Sequence, residues 1–253
     1  MSSYTGYHAD LYDLFYGSKS YKHEANFTRS CILKYQPAET RTILELACGT
    51  GNHSIHLSKY KYKITATDYS RDMLRVASQK LSSLENVQVA HMDMLQFRRF
   101  KKPFDAVICL FDSIGYVQTN TNIAAVLKSI HKNLKRKGLF VFEYWNAGAM
   151  LHSYEAVRVK KWKVGERKII RKSETTMRYH KQLCDVKYTV EEYQRSALKR
   201  KFTETQTNRF FLPQEMNYFL SEAGFVPMAL YDGYSKKTVS ETSWHVLCVA
   251  QKR

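Results

Sequence analysis

The stretch Ile43–Ser54, ILELACGTGNHS, restricts the fold of this chain more than any other. An apolar run enters a turn holding Gly49 and Gly51, and NHSIHLSKY follows with helical spacing. That is a strand–turn–helix unit, the opening of a nucleotide-binding α/β domain. The dinucleotide fingerprint G-x-G-x-x-G fits only in part, because Ser54 stands in the third glycine position.

Glu45 lies four residues before the first glycine. A carboxylate there costs Coulomb energy beside a pyrophosphate and gains it beside a cation. Asp68 ends the next strand, about 20 residues on, where an acid holds ribose hydroxyls. The two acids together select a ligand that is cationic at one end and a nucleoside at the other. S-adenosylmethionine, with its ammonium, sulfonium and adenosine, is such a ligand. The glycines then serve close backbone approach rather than phosphate binding.

The rest of the chain repeats the alternation. Residues 4–36 show helical spacing through Leu11, Leu14, Phe15, Phe27, Ile32 and Leu33. YKITATDYS is a second strand, and Ser70 and Asp72 open a helix over SRDMLRVASQKLSS. VQVAHMDM and FDAVICLFDSIGY supply strands three and four. TNIAAVLKSIHKNLKRKG reads as a helix ending in basic residues, with Gly138 as its C-cap, and LFVFEYWN as strand five. Such alternation implies a doubly wound, mostly parallel sheet. After about residue 154, four segments alternate with period two, the pattern of antiparallel strands. LPQEMNYFLSEAGF returns to helix, and two strands close the chain. The expected division is 1–154 for lid helices and core, 155–211 for an antiparallel insertion, and 212–253 for the remainder of the core.

The 253 residues are 44% hydrophobic, enough for a real core, and carry a net charge of +17. About half of that excess sits in 155–211, which has 16 Lys/Arg against 7 Asp/Glu. An anionic partner is one reading of it, and solubility is the other. No run approaches a membrane span, and no basic n-region precedes an apolar stretch near the start. The five cysteines are scattered and odd in number, which points to reduced thiols in a cytoplasm and to neither a disulfide frame nor a metal site.

LELACGTGNH, ATDYSRDMLRVA, MDM and FDAVICLFDSIGY, in this order, resemble the successive motifs of class I S-adenosylmethionine-dependent methyltransferases. The YDLFY helix, the DSIGY loop and the late insertion before FFLPQEM are similar to the sugar N,N-dimethyltransferases and related small-molecule enzymes. The resemblance implies a seven-stranded Rossmann-like methyltransferase fold and S-adenosylmethionine as cofactor. It implies that Glu45, Ala47, Gly49 and Gly51 line the methionine end. Asp68 would hold the ribose, Tyr69, Asp93 and Met94 would flank the adenine, and Leu110 and Phe111 the sulfonium. Tyr12 and Tyr16 would come from a lid helix, Asp112, Ser113 and Tyr116 from the loop after strand four, and Trp145 and Asn146 from strand five. Tyr16, Asp112 and Tyr116 are the candidate catalytic groups, and His53 follows the glycine loop.

The aminosugar enzymes carry a histidine where this chain has Tyr116, and the pair at Trp145–Asn146 is also altered. With an ordinary pKa near 10, a tyrosine orients a substrate better than it deprotonates one. A small-molecule substrate is expected. RNA docking on the basic insertion is the alternative, and it requires Lys/Arg on one face with exposed aromatics. A non-catalytic binding module is a third reading. Glu45 and Ser54 disfavour a nicotinamide oxidoreductase.

Overall fold

The computed structural model describes residues 4–36, 40–96 and 99–253. Five parallel strands follow the expected alternation: β1 (Thr42–Leu46), β2 (Lys63–Asp68), β3 (Val87–His91), β4 (Phe104–Cys109) and β5 (Leu134–Asn146). Their order is β3-β2-β1-β4-β5. The last strand, β11 (His245–Lys252), inserts antiparallel beside β5, and β10 (Phe225–Asp232) pairs antiparallel with β11. The result is the seven-stranded, mostly parallel sheet. The order reverses between β1 and β4, and ligands of such sheets bind outside the carboxyl ends of the strands at that point.

Burial follows from the sheet having two covered faces. β4 is buried throughout, and β5 is almost entirely buried from Leu139 on, so both read as continuous apolar runs rather than as alternations. One core layer holds Leu44, Val107, Phe140, Phe142 and Val246 against α5 (Asn120–Asn133) and α7 (Pro213–Glu222). The other holds Ile43, Ile64, Ala106, Val141 and Leu247 against α2 (Tyr21–Tyr35) and α3 (Asn52–Leu57). The remaining core helix, α4 (Arg71–Leu81), starts at Ser70, whose hydroxyl accepts from the Met73 amide, and buries Met73, Leu74, Ala77 and Leu81.

Three local expectations need correction. Residues 4–36 form two helices, α1 (Tyr7–Phe15) and α2, broken at Tyr16–Ser20, and Leu33 is exposed rather than core. The helix through 120–138 stops at Asn133. The Asn133 side chain accepts from the Phe100 amide at 2.7 Å and donates to the Ser129 carbonyl, while Leu134 already pairs with Phe104 in β5. Gly138 therefore caps no helix. It sits in a bulge of β5, where a Cβ would come within 3.0 Å of the Asp105 carbonyl oxygen. A short helix, α6 (Ala147–Ser153), follows β5 and has no counterpart in the sequence reading. Among the described residues, no helix is long and apolar enough to cross a membrane.

Residues 157–211 form an antiparallel meander: β6 (Val157–Val164), β7 (Arg167–Arg178), β8 (Leu183–Gln194) and β9 (Ala197–Phe211). Its last strand reaches the core sheet, where Phe210 and Phe211 pair in parallel with Trp145 and Asn146 at the end of β5. The 3-10 turn Ser113–Val117 lies against β9 so closely that a Cβ on Gly115 would sit 1.5 Å from the Asn208 Oδ1 and 2.6 Å from the Arg209 carbonyl oxygen. Gly115→Ala is therefore expected to destabilise the fold by about 1–3 kcal/mol through overpacking. The urea midpoint measures this, and an unchanged midpoint contradicts the close approach.

Candidate active site

A cavity of about 1310 Å³ opens at the carboxyl ends of β1, β2, β4 and β5, between the core and the meander. Single-ligand pockets run to about 300–1,000 Å³, so this space accommodates two molecules. Its core side begins at the opening loop. Ala47 and Gly49 both adopt left-handed backbone, with φ of 53° and 57°. A Cβ on Gly49 would meet nothing within 4 Å, and the residue lines the cavity, so its bare backbone forms part of a cradle. The Asp68 carboxylate shapes that cradle by accepting from the Gly49 and Ser70 amides, each at 2.8 Å. Burial raises its pKa against the lowering effect of these amides.

Behind the loop a smaller cavity is bordered by Glu45, Ala47, His53, Leu110 and Phe111. Glu45 is 2% exposed, accepts from the Ser54 hydroxyl, and has its pKa raised by burial. This explains why serine replaces the third glycine: its hydroxyl satisfies the buried acid. Tyr69, Asp93 and Met94 line the outer wall of the large cavity, and Asp93 Oδ1 also accepts from the Leu95 amide at 2.8 Å. Gly51 lines neither cavity. Its φ is 80°, and its missing Cβ makes room for Leu81. The acids at both ends and the open glycine backbone fit a cationic amino-acid moiety joined to a nucleoside.

Past β4 the chain turns through Phe111 and Asp112, both with φ of 56°. Two successive non-glycine residues in this conformation cost about 1–2 kcal/mol each, so their surroundings must hold them. Glu143 does so, its Oε2 accepting from the Phe111 amide at 2.9 Å and from the Tyr234 hydroxyl at 2.7 Å. His245 stands between the two acids, with Nδ1 2.8 Å from Asp112 Oδ2 and 3.2 Å from Glu143 Oε1. Two facing carboxylates favour the imidazolium, Asp112 foremost, and push the His245 pKa well up. Burial raises Asp112, while the His245 hydrogen bond and charge hold Glu143 low. Asp112 Oδ1 is buried and has no hydrogen-bond partner among the described residues.

Tyr116 shares a 3.0 Å hydrogen bond with Tyr4, and burial pushes its pKa up, so it stays a neutral donor and acceptor. Tyr16 and Tyr12 pack with their rings tilted by 45°, and Tyr16 meets Phe111 edge-on at 5.2 Å. Trp145 lines the cavity. Asn146 does not. It caps α6 through the Gly148 amide and donates to the Ser240 and Ser243 carbonyls. His53 pairs with Glu24 at 2.8 Å and borders only the smaller cavity.

Helix α1 covers the cavity by bridging both halves of the molecule. Asp13 accepts from Thr50, Asn52 and Lys80 on the core side. Tyr7 donates to Glu192 on β8, and the Tyr4 amide to Glu204 on β9. The meander presents Arg158, Lys160 and Arg171 from β6 and β7, with Lys160 and Arg171 in register. Arg171 is only 5% exposed, and among the described residues no carboxylate pairs with it. Its Nε and Nη1 lack partners, and the guanidinium packs on the rings of Phe15, Tyr16, Trp162 and Tyr188. A buried, uncompensated cation costs several kcal/mol unless an anion meets it.

His245, Glu143 and Arg171 were not among the sequence candidates. Glu143 left one signal, a lone acid in the apolar strand LFVFEYWN. His245 and Arg171 gave none, since a strand-end histidine and one arginine among many carry no mark of burial.

Residues 43–138 match the family model of a methyltransferase domain. Over 140 residues the chain is 35% identical to the dTDP-3-amino-3,4,6-trideoxy-alpha-D-glucopyranose N,N-dimethyltransferase of Streptomyces venezuelae, covering 54% of this chain and 57% of that protein. Over 146 residues it is 30% identical to the dTDP-3-amino-3,6-dideoxy-alpha-D-glucopyranose N,N-dimethyltransferase of Streptomyces fradiae, covering 57% and 55%. The chain thus spans about half the length of these curated relatives. In fold it is similar to the crystal structure of a S-adenosylmethionine-dependent methyltransferase from Clostridium acetobutylicum ATCC 824, with a TM-score of 0.83 over 96% of this chain and 97% of the other, at 21% identity. If the cradle holds S-adenosylmethionine, Asp68→Ala should weaken its binding by about 1–3 kcal/mol through lost hydrogen bonds and a loosened loop. Titration calorimetry tests this, and unchanged affinity refutes the role of Asp68.

Proposed function

We propose that this chain, whose residues 43–138 match a methyltransferase domain, is a class I S-adenosylmethionine-dependent enzyme that methylates an amine nitrogen on a small molecule that also bears an anionic group. The observation that carries this reading is the polarity of the cavity. Its core wall offers Asp112, whose buried Oδ1 has no hydrogen-bond partner among the described residues, with His245 beside it and Glu143 behind the lining. Its meander wall offers Lys160, the unpaired Arg171, and Arg158 in an ion pair with Glu155. A molecule positive at one end and negative at the other satisfies both walls. The dTDP-amino sugars named for the two Streptomyces relatives have this character.

Bound S-adenosylmethionine supplies a methyl group already activated by its sulfonium. The protein's work is then to align the nucleophile and exclude water. Glu45 would face the ammonium of the cofactor, Asp68 its ribose hydroxyls, and Tyr69, Asp93 and Met94 its adenine. Leu110, Phe111 and the tyrosines of α1 would wall the methyl-transfer region. Asp112 would hold the substrate amine, and Tyr116, neutral throughout, would orient it. Arg171 and its basic neighbours would take the anionic group.

Docking of RNA on the basic meander is the weaker reading. Trp162 packs toward Phe15 and Arg171, and Tyr188 faces the cavity, so these aromatics form no exposed stacking platform.

Release of S-adenosylhomocysteine, measured over dTDP-amino sugars, free amino sugars and tRNA, separates these readings. Turnover is expected on the phosphorylated amines. Arg171→Met should raise KM for them by about 10- to 100-fold, the worth of a charge-assisted contact, with a smaller effect on kcat. Equal turnover of neutral amines, or turnover of tRNA alone, overturns the proposal.

A further inference from the structure

We propose that His245 and Glu143 are positioning residues that hold Asp112 as the proton acceptor of the reaction, with Asp112 Oδ1 taking the proton from the substrate ammonium. This rests on the amine reading above and assigns its proton.

Within this cluster the geometry excludes the other acceptors in turn. The Tyr116 hydroxyl lies 3.0 Å from that of Tyr4 and 3.3 Å from the Gln206 Oε1, and burial keeps it neutral. Glu143 has no free oxygen, since Oε2 serves the Phe111 amide and Tyr234 while Oε1 faces His245. The Nδ1 of His245 is committed between the two carboxylates, which hold the ring as a cation with no lone pair to offer. What remains is Asp112. Its side chain is 3% exposed, its Oδ2 is fixed by His245, and its Oδ1 is without a partner in a residue that lines the cavity.

The backbone supports the same assignment. The left-handed turn at Phe111 and Asp112 is held by Glu143 at the Phe111 amide and by the Asn208 Nδ2 at the Asp112 carbonyl. Besides His245 and Glu143, the titratable or charged groups acting on Asp112 are Lys19, Tyr116, Tyr234 and Cys109. Burial and Glu143 raise its pKa, and His245 and Lys19 lower it, leaving it at about 6. A carboxylate of that strength is ionised at neutral pH yet basic enough to share a proton with an ammonium. The step balances: the ammonium N–H bond breaks, an O–H bond forms at Asp112 Oδ1, and the electron pair left on nitrogen is the pair that attacks the methyl carbon.

The test compares pH profiles of kcat/KM on a dTDP-amino sugar. Asp112 must be ionised to act, so the rate falls as pH drops through its pKa. Removing the imidazolium removes a lowering charge, so His245→Leu should move this acid limb up by at least one pH unit and reduce kcat at neutral pH. His245→Asn restores a neutral donor toward Asp112 Oδ2 and should recover part of kcat while the limb stays high. Asp112→Asn should lower kcat by at least 100-fold, with S-adenosylmethionine affinity by calorimetry within twofold of the parent in every variant. That calorimetry also certifies that each variant is folded. An acid limb unmoved in both His245 variants, or Asp112→Asn within threefold of the parent kcat, overturns this proposal while the amine reading stands. A parent enzyme that methylates no amine overturns both.

Discussion

The direction of one strand fixes where the charged groups of this protein meet. β11 runs antiparallel to β5, so its first residue lies at the edge where the parallel strands end. His245 pairs with Trp145 there, and its imidazole reaches Asp112, 133 residues earlier in the chain. A parallel last strand would have placed its carboxyl end at that edge and taken the imidazolium from between Asp112 and Glu143. Two buried carboxylates so placed repel one another, which favours protonation of one of them. The strained turn at Phe111 and Asp112 shares a partner with this arrangement, because Glu143 accepts from the Phe111 amide through Oε2 while its Oε1 faces His245.

A second dependence is the closure of the cavity. The core alone provides an open shelf at the ends of β1, β2 and β4. The meander supplies the opposite wall, and α1 ties the two together with polar contacts on both sides. The meander is anchored at few points, chiefly the short pairing of Phe210 and Phe211 with β5 and the contact of Gly115 with β9. Cavity shape therefore depends on a handful of close approaches. Arg171 shows the consequence: it is buried by rings from both α1 and the meander, and neither part alone would desolvate it.

Much of the core was legible because its signals are local. Ser70 begins α4 by accepting from a backbone amide three residues ahead, and the apolar positions of that helix recur every three or four residues. The alternation of the meander strands is equally local. Where the reading failed, a distant partner overrode local preference. Basic residues and Gly138 after SIHKN make a good helix end, yet Leu134 gains more by pairing with Phe104. Asn146 resembled a site residue at a strand end, yet its amide is taken by Ser240 and Ser243, nearly a hundred residues away.

By itself the sequence determined the strand–loop–helix cradle, the order of the core elements, the basic antiparallel insertion and the two acids, Glu45 and Asp68, at the cradle. These rest on spacing and on residue chemistry within a few turns of chain. Only the tertiary structure decided that Glu45 is satisfied by Ser54, that Gly51 makes room for Leu81, that Arg171 is buried with no carboxylate partner among the described residues, and that His245 lies between Asp112 and Glu143. The reason is that burial and charge pairing are properties of approach through space, and approach between distant residues is set by how strands pair rather than by what the residues are.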